Sequence, residues 1–144
     1  MIRVAEEKDL PELLLLVEEF VLSTGYVNGE DFYSENAEKV LITALSSGAI
    51  VVVDRDGLQG LAVAVIFPCM FKDELWAQEI CWYVKPAHRK IGLNLLAALE
   101  CECVLKGASK LLASVLNNTH KQKIINRLKL SGYTEIESVL IKEL

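Results

Sequence analysis

Residues 79–99 read EICWYVKPAHRKIGLNLLAAL and are the stretch that decides which fold the sequence favours. Ile80 to Val84 is a run of strand-forming residues, and Pro86 ends it because proline has no N–H to donate to a central sheet ladder. Further on, four apolar residues recur at the spacing of one buried helical stripe: Leu95, Leu96, Leu99 and Cys103. After Pro86 come three basic residues, His88, Arg89 and Lys90, and then Gly92. The stretch therefore predicts a strand, a basic turn and a helix.

The start of the predicted helix is a candidate anion site. A helix N-terminus has N–H groups without intrahelical partners and the positive end of the helix dipole, so a pyrophosphate can bind there. His88, Arg89 and Lys90 would add positive charge, and Gly92 has no side chain to block the approach of an anion to the backbone. The same residues also fit the ordinary start of a helix.

The whole stretch resembles the acetyl-coenzyme A motif of the GNAT superfamily of N-acetyltransferases. That motif is a strand ending in Val-x-Pro, a turn of the form Arg/Gln-x-x-Gly-x-Gly/Ala, and a Leu-rich helix. Residues 84–86 match the first part. In one register Gly92 is the first glycine, Arg89 is the motif arginine, and Asn94 departs from the small last position. In the other, which we favour because it keeps the apolar register of the helix, Gly92 is the last glycine and Lys90 replaces the first.

Both ends of the chain also resemble this family. Residues 2–5 read IRVA, close to the common opening Ile-Arg-x-Ala, and Gly132-Tyr133 resembles the Gly-Phe/Tyr pair that starts the sixth strand. The resemblance implies acetyl-coenzyme A as co-substrate, without a metal. It implies coenzyme contacts from these residues: Tyr83, Val84, His88, Arg89, Lys90, Ile91, Gly92, Leu93, Asn94 and Asn117.

The resemblance implies an α/β (α+β) fold in which a mixed central sheet of about six or seven strands is flanked by about four helices. We predict helices from Asp9 to about Leu22, from Ser34 to Gly48, after Gly92, and after Thr119. We predict a hairpin of 49–54 and 58–67 around Arg55-Asp56-Gly57, strands at 80–84 and 110–116, and a final strand or pair of strands at 133–144.

Length and charge exclude several classes of protein. The 144 residues, 52% of them hydrophobic, predict one globular domain over 1–144. No apolar run approaches the roughly 20 residues that cross a bilayer, and no cleavable signal is visible. A net charge of −5 argues against nucleic acid as a partner. We expect a cytoplasmic protein that binds no membrane; its small size suggests a bacterial or phage source.

Two smaller features bear on ligands. A second basic group is either a solvated helix face or a rim for coenzyme phosphates: Lys121, Lys123, Arg127 and Lys129. The four cysteines have neither Cys-x-x-Cys spacing nor paired spacing with a histidine, so we expect reduced thiols and no zinc site.

The segment between the first two predicted helices is acidic and aromatic. In the GNAT family this segment lines the acceptor site, so the resemblance implies that Tyr26, Glu30, Asp31 and Tyr33 receive a cationic amine. The alternative is a solvated surface loop anchored by its aromatic side chains.

Glu79 is the candidate general base. Strand alternation places Glu79, Cys81 and Tyr83 on one face, where loss of solvent would raise the pKa of the carboxyl group; glutamates on this strand are bases in several family members. The alternative is an exposed carboxylate at the start of the strand. The family places a bulge and an oxyanion-binding N–H near Val84.

Leu128 stands where many family members have the tyrosine that acts as general acid. Tyr83 or Tyr133 could donate the proton instead, or the thiolate could leave unassisted. We therefore keep two hypotheses. The first is an N-acetyltransferase acting on a primary amine of a small molecule or protein. The second is an inactive GNAT-like domain serving as a coenzyme A-binding, interaction or structural module. Either could be a monomer or a homodimer, given the apolar final strand and exposed sheet edges.

Overall fold

A computed structural model describes residues 1–28 and 31–144 of the chain. These residues divide into two compact units, Met1–Ser114 and Val115–Leu144. The prediction of one domain over the whole chain stays a prediction.

In its described residues, the first unit contains a sheet, three helices and two 3-10 turns. The strands are β1 (Ile2–Val4), β2 (Ala49–Asp54), β3 (Leu58–Pro68), β4 (Leu75–Val84) and β5 (Ala108–Leu112). The helices are α1 (Leu10–Thr24), α2 (Ser34–Ser47) and α3 (Gly92–Leu105). The 3-10 turns, Glu7–Asp9 and Pro86–Ile91, precede α1 and α3. The second unit contains α4 (Lys121–Leu130).

The strands lie side by side in chain order, β1-β2-β3-β4-β5. The first three pairs are antiparallel, and β5 runs parallel to β4 after the chain crosses over through α3. At the β2–β3 hairpin both Asp56 (φ 54°) and Gly57 (φ 96°) adopt left-handed backbone, as an Asp-Gly turn requires. The predicted mixed α/β architecture is confirmed.

The strand count is lower than predicted. The described residues form five strands rather than six or seven, and 133–144 form none. Five large aliphatic side chains of this segment are more than half exposed: Ile136, Val139, Leu140, Ile141 and Leu144. A strand forms only where a neighbouring strand takes up its backbone N–H and C=O groups, and β-branched composition alone does not supply that neighbour.

Both faces of the sheet are covered, which explains the nearly continuous apolar runs of β2 and β3. One face packs on α1 and α2 in a buried cluster that includes Leu13, Leu16, Leu41, Ile50, Val52, Leu61, Val63 and Cys81. The other face packs on α3, whose stripe of Leu95, Leu96, Leu99 and Cys103 is buried as its spacing predicted.

Gly48 ends α2 at a point where the backbone of β3 passes very close. A Cβ at this position would collide with the backbone oxygen of Ala64 and lie 3.1 Å from the Cα of Ala44. Because neither atom belongs to a flexible side chain, Gly48→Ala should lower the free energy of unfolding by about 3 kcal/mol, measured by urea unfolding. Gly25→Ala is the control, since nothing lies within 4 Å there and only its φ of +72° opposes a side chain. Equal losses in the two variants would contradict the prediction.

Candidate active site

Strands β4 and β5 pair along only the first part of β4 and then separate. They pair only between Leu75–Gln78 and Ala108–Leu112. Residues 79–84 of β4 continue alongside β3, but no strand of the described chain pairs with their other edge. The outer edge of this half of β4 therefore offers backbone groups that the sheet does not use.

The N–H of Val84 points to this open edge. The next residue, Lys85, donates its N–H to the carbonyl oxygen of Gln59 on the β3 side, at 2.9 Å. Because consecutive N–H groups of a strand point to opposite edges, the Val84 N–H faces away from β3. This is the donor that the family resemblance led us to expect near Val84.

A β-bulge in β4 changes which side chains share a face. Cys81 is opposite Val63 and Glu79 is opposite Ala64, so Ile80 is an extra residue in β4. Side chains directly opposite each other share a face, and neighbouring residues of β3 face opposite ways. The prediction that Glu79 shares a face with Cys81 and Tyr83 is therefore wrong. The resemblance placed a bulge near Val84; the structure has one four residues earlier.

Glu79 is a buried carboxyl group at the point where β4 and β5 part. It is only 4% exposed, which excludes the alternative of an exposed carboxylate. Its Oε2 accepts a hydrogen bond from the backbone N–H of Ser114, at 3.0 Å. Burial raises the pKa of Glu79 to about 7, and the Ser114 hydrogen bond opposes that rise. Near neutral pH this group can therefore both take up and release a proton.

Gln78 and Ser114 both form hydrogen bonds with Glu79, and sequence reasoning missed both. The Gln78 side-chain amide donates to the Glu79 carbonyl oxygen at 3.2 Å and to the Ser114 hydroxyl at 3.5 Å. Ser114 lies two residues beyond β5 and 35 residues from Glu79 along the chain. No local pattern marks it, because its contact depends on how the two strands are aligned.

Tyr83 faces α1. Its hydroxyl donates to Oε2 of Glu19 at 3.2 Å, and its ring lies 6.4 Å from that of Phe20 between centroids. Burial raises the pKa of Tyr83, Glu19 adds to that rise, and the charge of Arg89 opposes it. The phenol is therefore neutral at physiological pH. The other carboxylate oxygen of Glu19 lies 3.9 Å from the Lys85 ammonium. Glu19, which sequence reasoning did not identify, therefore links α1 to the end of β4.

The basic turn, Pro86–Ile91, follows the end of β4. Arg89 and Lys90 are exposed, and neither is in an ion pair among the described residues. The N–H of Gly92 donates to the carbonyl of Arg89, so this amide is used within the 3-10 turn rather than left free. A Cβ on Gly92 would only touch the Trp82 indole at 3.7 Å, an ordinary contact.

No family model matches this sequence, and no curated protein matches it. Several solved structures match its fold. A ribosomal-protein-alanine N-acetyltransferase from Brucella melitensis biovar Abortus 2308 superposes with a TM-score of 0.73 at 16% identity, over 99% of both chains. A Trypanosoma brucei acetyltransferase gives 0.72 at 19% identity, over 100% of this chain and 99% of the other. The chain has the GNAT fold. A transcriptional regulator from Bacillus halodurans C-125 also superposes, with a TM-score of 0.75 at 13% identity, over 100% of this chain and 99% of that one.

Within this GNAT fold, the predicted coenzyme residues fall into two groups. Those of the first unit, from Tyr83 to Asn94, form the end of β4, the basic turn and the first residues of α3. His88, Ile91 and Leu93 are half-buried, and Asn94 is exposed. Asn117 and the candidate acid Tyr133 belong to the second unit, so their predicted roles stay predictions.

The predicted acceptor residues lie between α1 and α2, apart from Glu30, which lies outside the described residues. Tyr26, Asp31 and Tyr33 are exposed. Tyr33 donates its hydroxyl to Oε2 of Glu35 at 2.7 Å, and this hydrogen bond raises the pKa of the phenol. The acceptor role of these residues stays a prediction.

Leu128 is buried in α4, at the position where many family members have a tyrosine. Leucine has no hydroxyl group that could donate a proton as the general acid. Burial, and then the charge of Glu79, raise the pKa of Cys81, which keeps this residue a thiol. Over 1–28 and 31–144 no cluster of three His, Cys, Asp or Glu side chains could hold a metal ion. No helix in the same ranges is both long and apolar enough to span a membrane.

A hydrogen bond from Trp82 connects β4 to the start of α3. Its indole N–H donates to the Gly92 carbonyl at 3.1 Å. Trp82→Phe keeps an aromatic ring but removes this hydrogen bond, so the free energy of unfolding should fall by about 1 kcal/mol. Amide hydrogen exchange in the first turn of α3 should also become faster. Trp76→Phe is the control, because that indole bonds the side chain of Glu74 instead; equal exchange in both variants would contradict the prediction.

Proposed function

We propose that this chain is an N-acetyltransferase that transfers the acetyl group of acetyl-coenzyme A to a primary amine of a small molecule or protein. The observation that carries the proposal is the buried carboxyl group of Glu79, placed where β4 and β5 separate. A group whose pKa lies near the working pH is suited to general base catalysis. The GNAT fold of named acetyltransferases supports the same reaction class.

The open edge of β4 is the place for the acyl group. Acetyl-coenzyme A supplies an activated thioester carbonyl. The Val84 N–H, which no strand of the described residues uses, would donate to the carbonyl oxygen where negative charge develops. Glu79 would accept the proton that the amine loses on forming the new C–N bond, directly or through a water molecule. The departing sulfur needs a proton; the neutral Tyr83 phenol is the candidate within the first unit.

The basic turn would hold the coenzyme phosphates. Arg89 and Lys90 are exposed and have no ion-pair partner among the described residues, so binding an anion breaks no such contact. A second candidate function, an inactive GNAT-like module, is favoured by two observations: the Gly92 N–H is used within the turn, and Leu128 has no hydroxyl to donate.

The first test is calorimetric titration with acetyl-coenzyme A. The Arg89→Glu, Lys90→Glu variant should bind about tenfold to hundredfold more weakly, because two cations near phosphate become anions. The control reverses two exposed lysines at the opposite ends of β4 and α3, as Lys72→Glu, Lys106→Glu, and should bind as the wild type does. Unchanged affinity in the first variant, or no binding by the wild type, would reject the enzyme in favour of the inactive module.

A further inference from the structure

A groove lies beside the first 3-10 turn, against the C-terminal half of α2. Its volume is about 630 Å³, within the range of small-molecule sites. Four aliphatic side chains line it: Ala5, Leu10, Ile42 and Leu45. Leu10 and Leu45 also pack on the buried core, so this part of the lining is fixed by the fold, while Ile42 remains 49% exposed.

The polar part of the lining is acidic. It consists of Glu6, Glu7 and the hydroxyl-bearing Ser46, and no cationic side chain of the described residues lines the groove. Glu6 is already paired with Lys8, at 2.7 Å. The Glu7 carboxylate has no hydrogen-bond or ion-pair partner among the described residues, so it is free to receive a cation.

This groove is separate from the candidate active site. Ala5 follows β1, whereas Glu79 lies on β4, and the strands are ordered β1-β2-β3-β4. Three strand spacings separate β1 from β4, or about 14 Å. The groove beside Ala5 is therefore distinct from the site around Glu79.

An aliphatic lining that includes an unpaired carboxylate favours one kind of ligand. A neutral aliphatic molecule would gain no ion pair with Glu7, and a compact cation would not cover the aliphatic side chains. We propose that the groove is a second ligand site, for a small-molecule amphipathic cation with one ammonium head and an aliphatic body. The head pairs with Glu7, and the body lies along Ile42 and Leu45.

The experiment uses n-decylammonium below its micellar range, and the neutral decanamide, titrated into the whole protein without coenzyme and followed by amide NMR. The ammonium should bind one to one, shifting the amide signals of residues 5–10 and 42–46, and the amide should bind at least threefold more weakly. Glu7→Gln should weaken decylammonium binding about twofold to fivefold, whereas Asp73→Asn, which removes an exposed charge elsewhere, should not.

A second variant tests the aliphatic wall. Ile42 is half-exposed, so Ile42→Gln should fold normally yet lose about tenfold in affinity, while Ile42→Leu should bind as the wild type does. The proposal is overturned by equal binding of the ammonium and the amide, by unchanged affinity in both Glu7→Gln and Ile42→Gln, or by shifts spread over the whole surface. Because no coenzyme is present, none of these results bears on the proposed acetyl transfer.

Discussion

Replacing Glu79 with glutamine should raise the free energy of unfolding by about 3 kcal/mol at pH 8 and leave it unchanged near pH 4. The folded protein holds the Glu79 pKa at about 7, against an ordinary value of 4.5, because the group is buried. The wild type therefore has its full stability below pH 4.5 and loses stability as pH rises through 7, where a buried charge must form. A difference of about 2.5 in pKa corresponds to about 3 kcal/mol, and glutamine never ionises.

Urea unfolding of both proteins at several pH values between 4 and 8 measures this effect. The glutamine oxygen can still accept the Ser114 N–H, so the hydrogen bond does not confound the comparison. Glu7→Gln is the control because that residue is exposed. Its free energy of unfolding, plotted against pH, should stay parallel to that of the wild type. Parallel curves for Glu79→Gln as well would show that the buried carboxyl group titrates normally.

The same variant also tests the proposed chemistry. Once an amine acceptor is found, Glu79→Gln should lower kcat by about 10²- to 10⁴-fold and remove the rise in rate with pH near 7, because no group remains to take the amine proton. Acetyl-coenzyme A affinity should stay the same. An unaltered pH–rate profile would eliminate Glu79 as the base, while the stability result would still stand.

Replacing Arg3 with methionine should lower the free energy of unfolding by about 3–5 kcal/mol at pH 7. Arg3 binds the carboxylate of Asp9 with two hydrogen bonds, at 2.7 and 2.9 Å, and Asp9 is only 5% exposed. The methionine variant leaves that carboxylate buried without its cation, which costs far more than the pair itself contributes. Arg3 also bonds Asp54 at 2.9 Å, so β1 loses a second contact.

The loss should become smaller in acid. The Arg3 hydrogen bonds, with help from the Glu6 N–H, hold the Asp9 pKa below its ordinary value despite burial. Stability from this pair is therefore present above the unfolded pKa and is lost as pH falls through the folded one. Adding Asp9→Asn to Arg3→Met should recover part of the stability at pH 7. Lys8→Met, which breaks the exposed pair with Glu6, should have little effect; a comparable loss there would contradict the role assigned to burial.

Local signals were sufficient for most of the architecture. β4 ends at Val84, two residues before Pro86. The leucine spacing after Gly92 gives the buried stripe of α3, and Asp56-Gly57 makes the hairpin turn. Each depends on the conformation of a few consecutive residues, which composition and periodicity encode directly. Glu79 was likewise identified from its place in an apolar strand.

Contacts between distant segments decided the rest. The bulge at Ile80, the parting of β4 from β5 and the hydrogen bond from Ser114 set the face, the burial and the pKa of Glu79. The final segment, 133–144, has strand-forming residues but forms no strand. The sequence by itself determined which residues favour strand, turn or helix, because those preferences are local. Only the tertiary structure decided which backbone groups find partners and which carboxyl groups lose their water, because both depend on residues far apart in the chain.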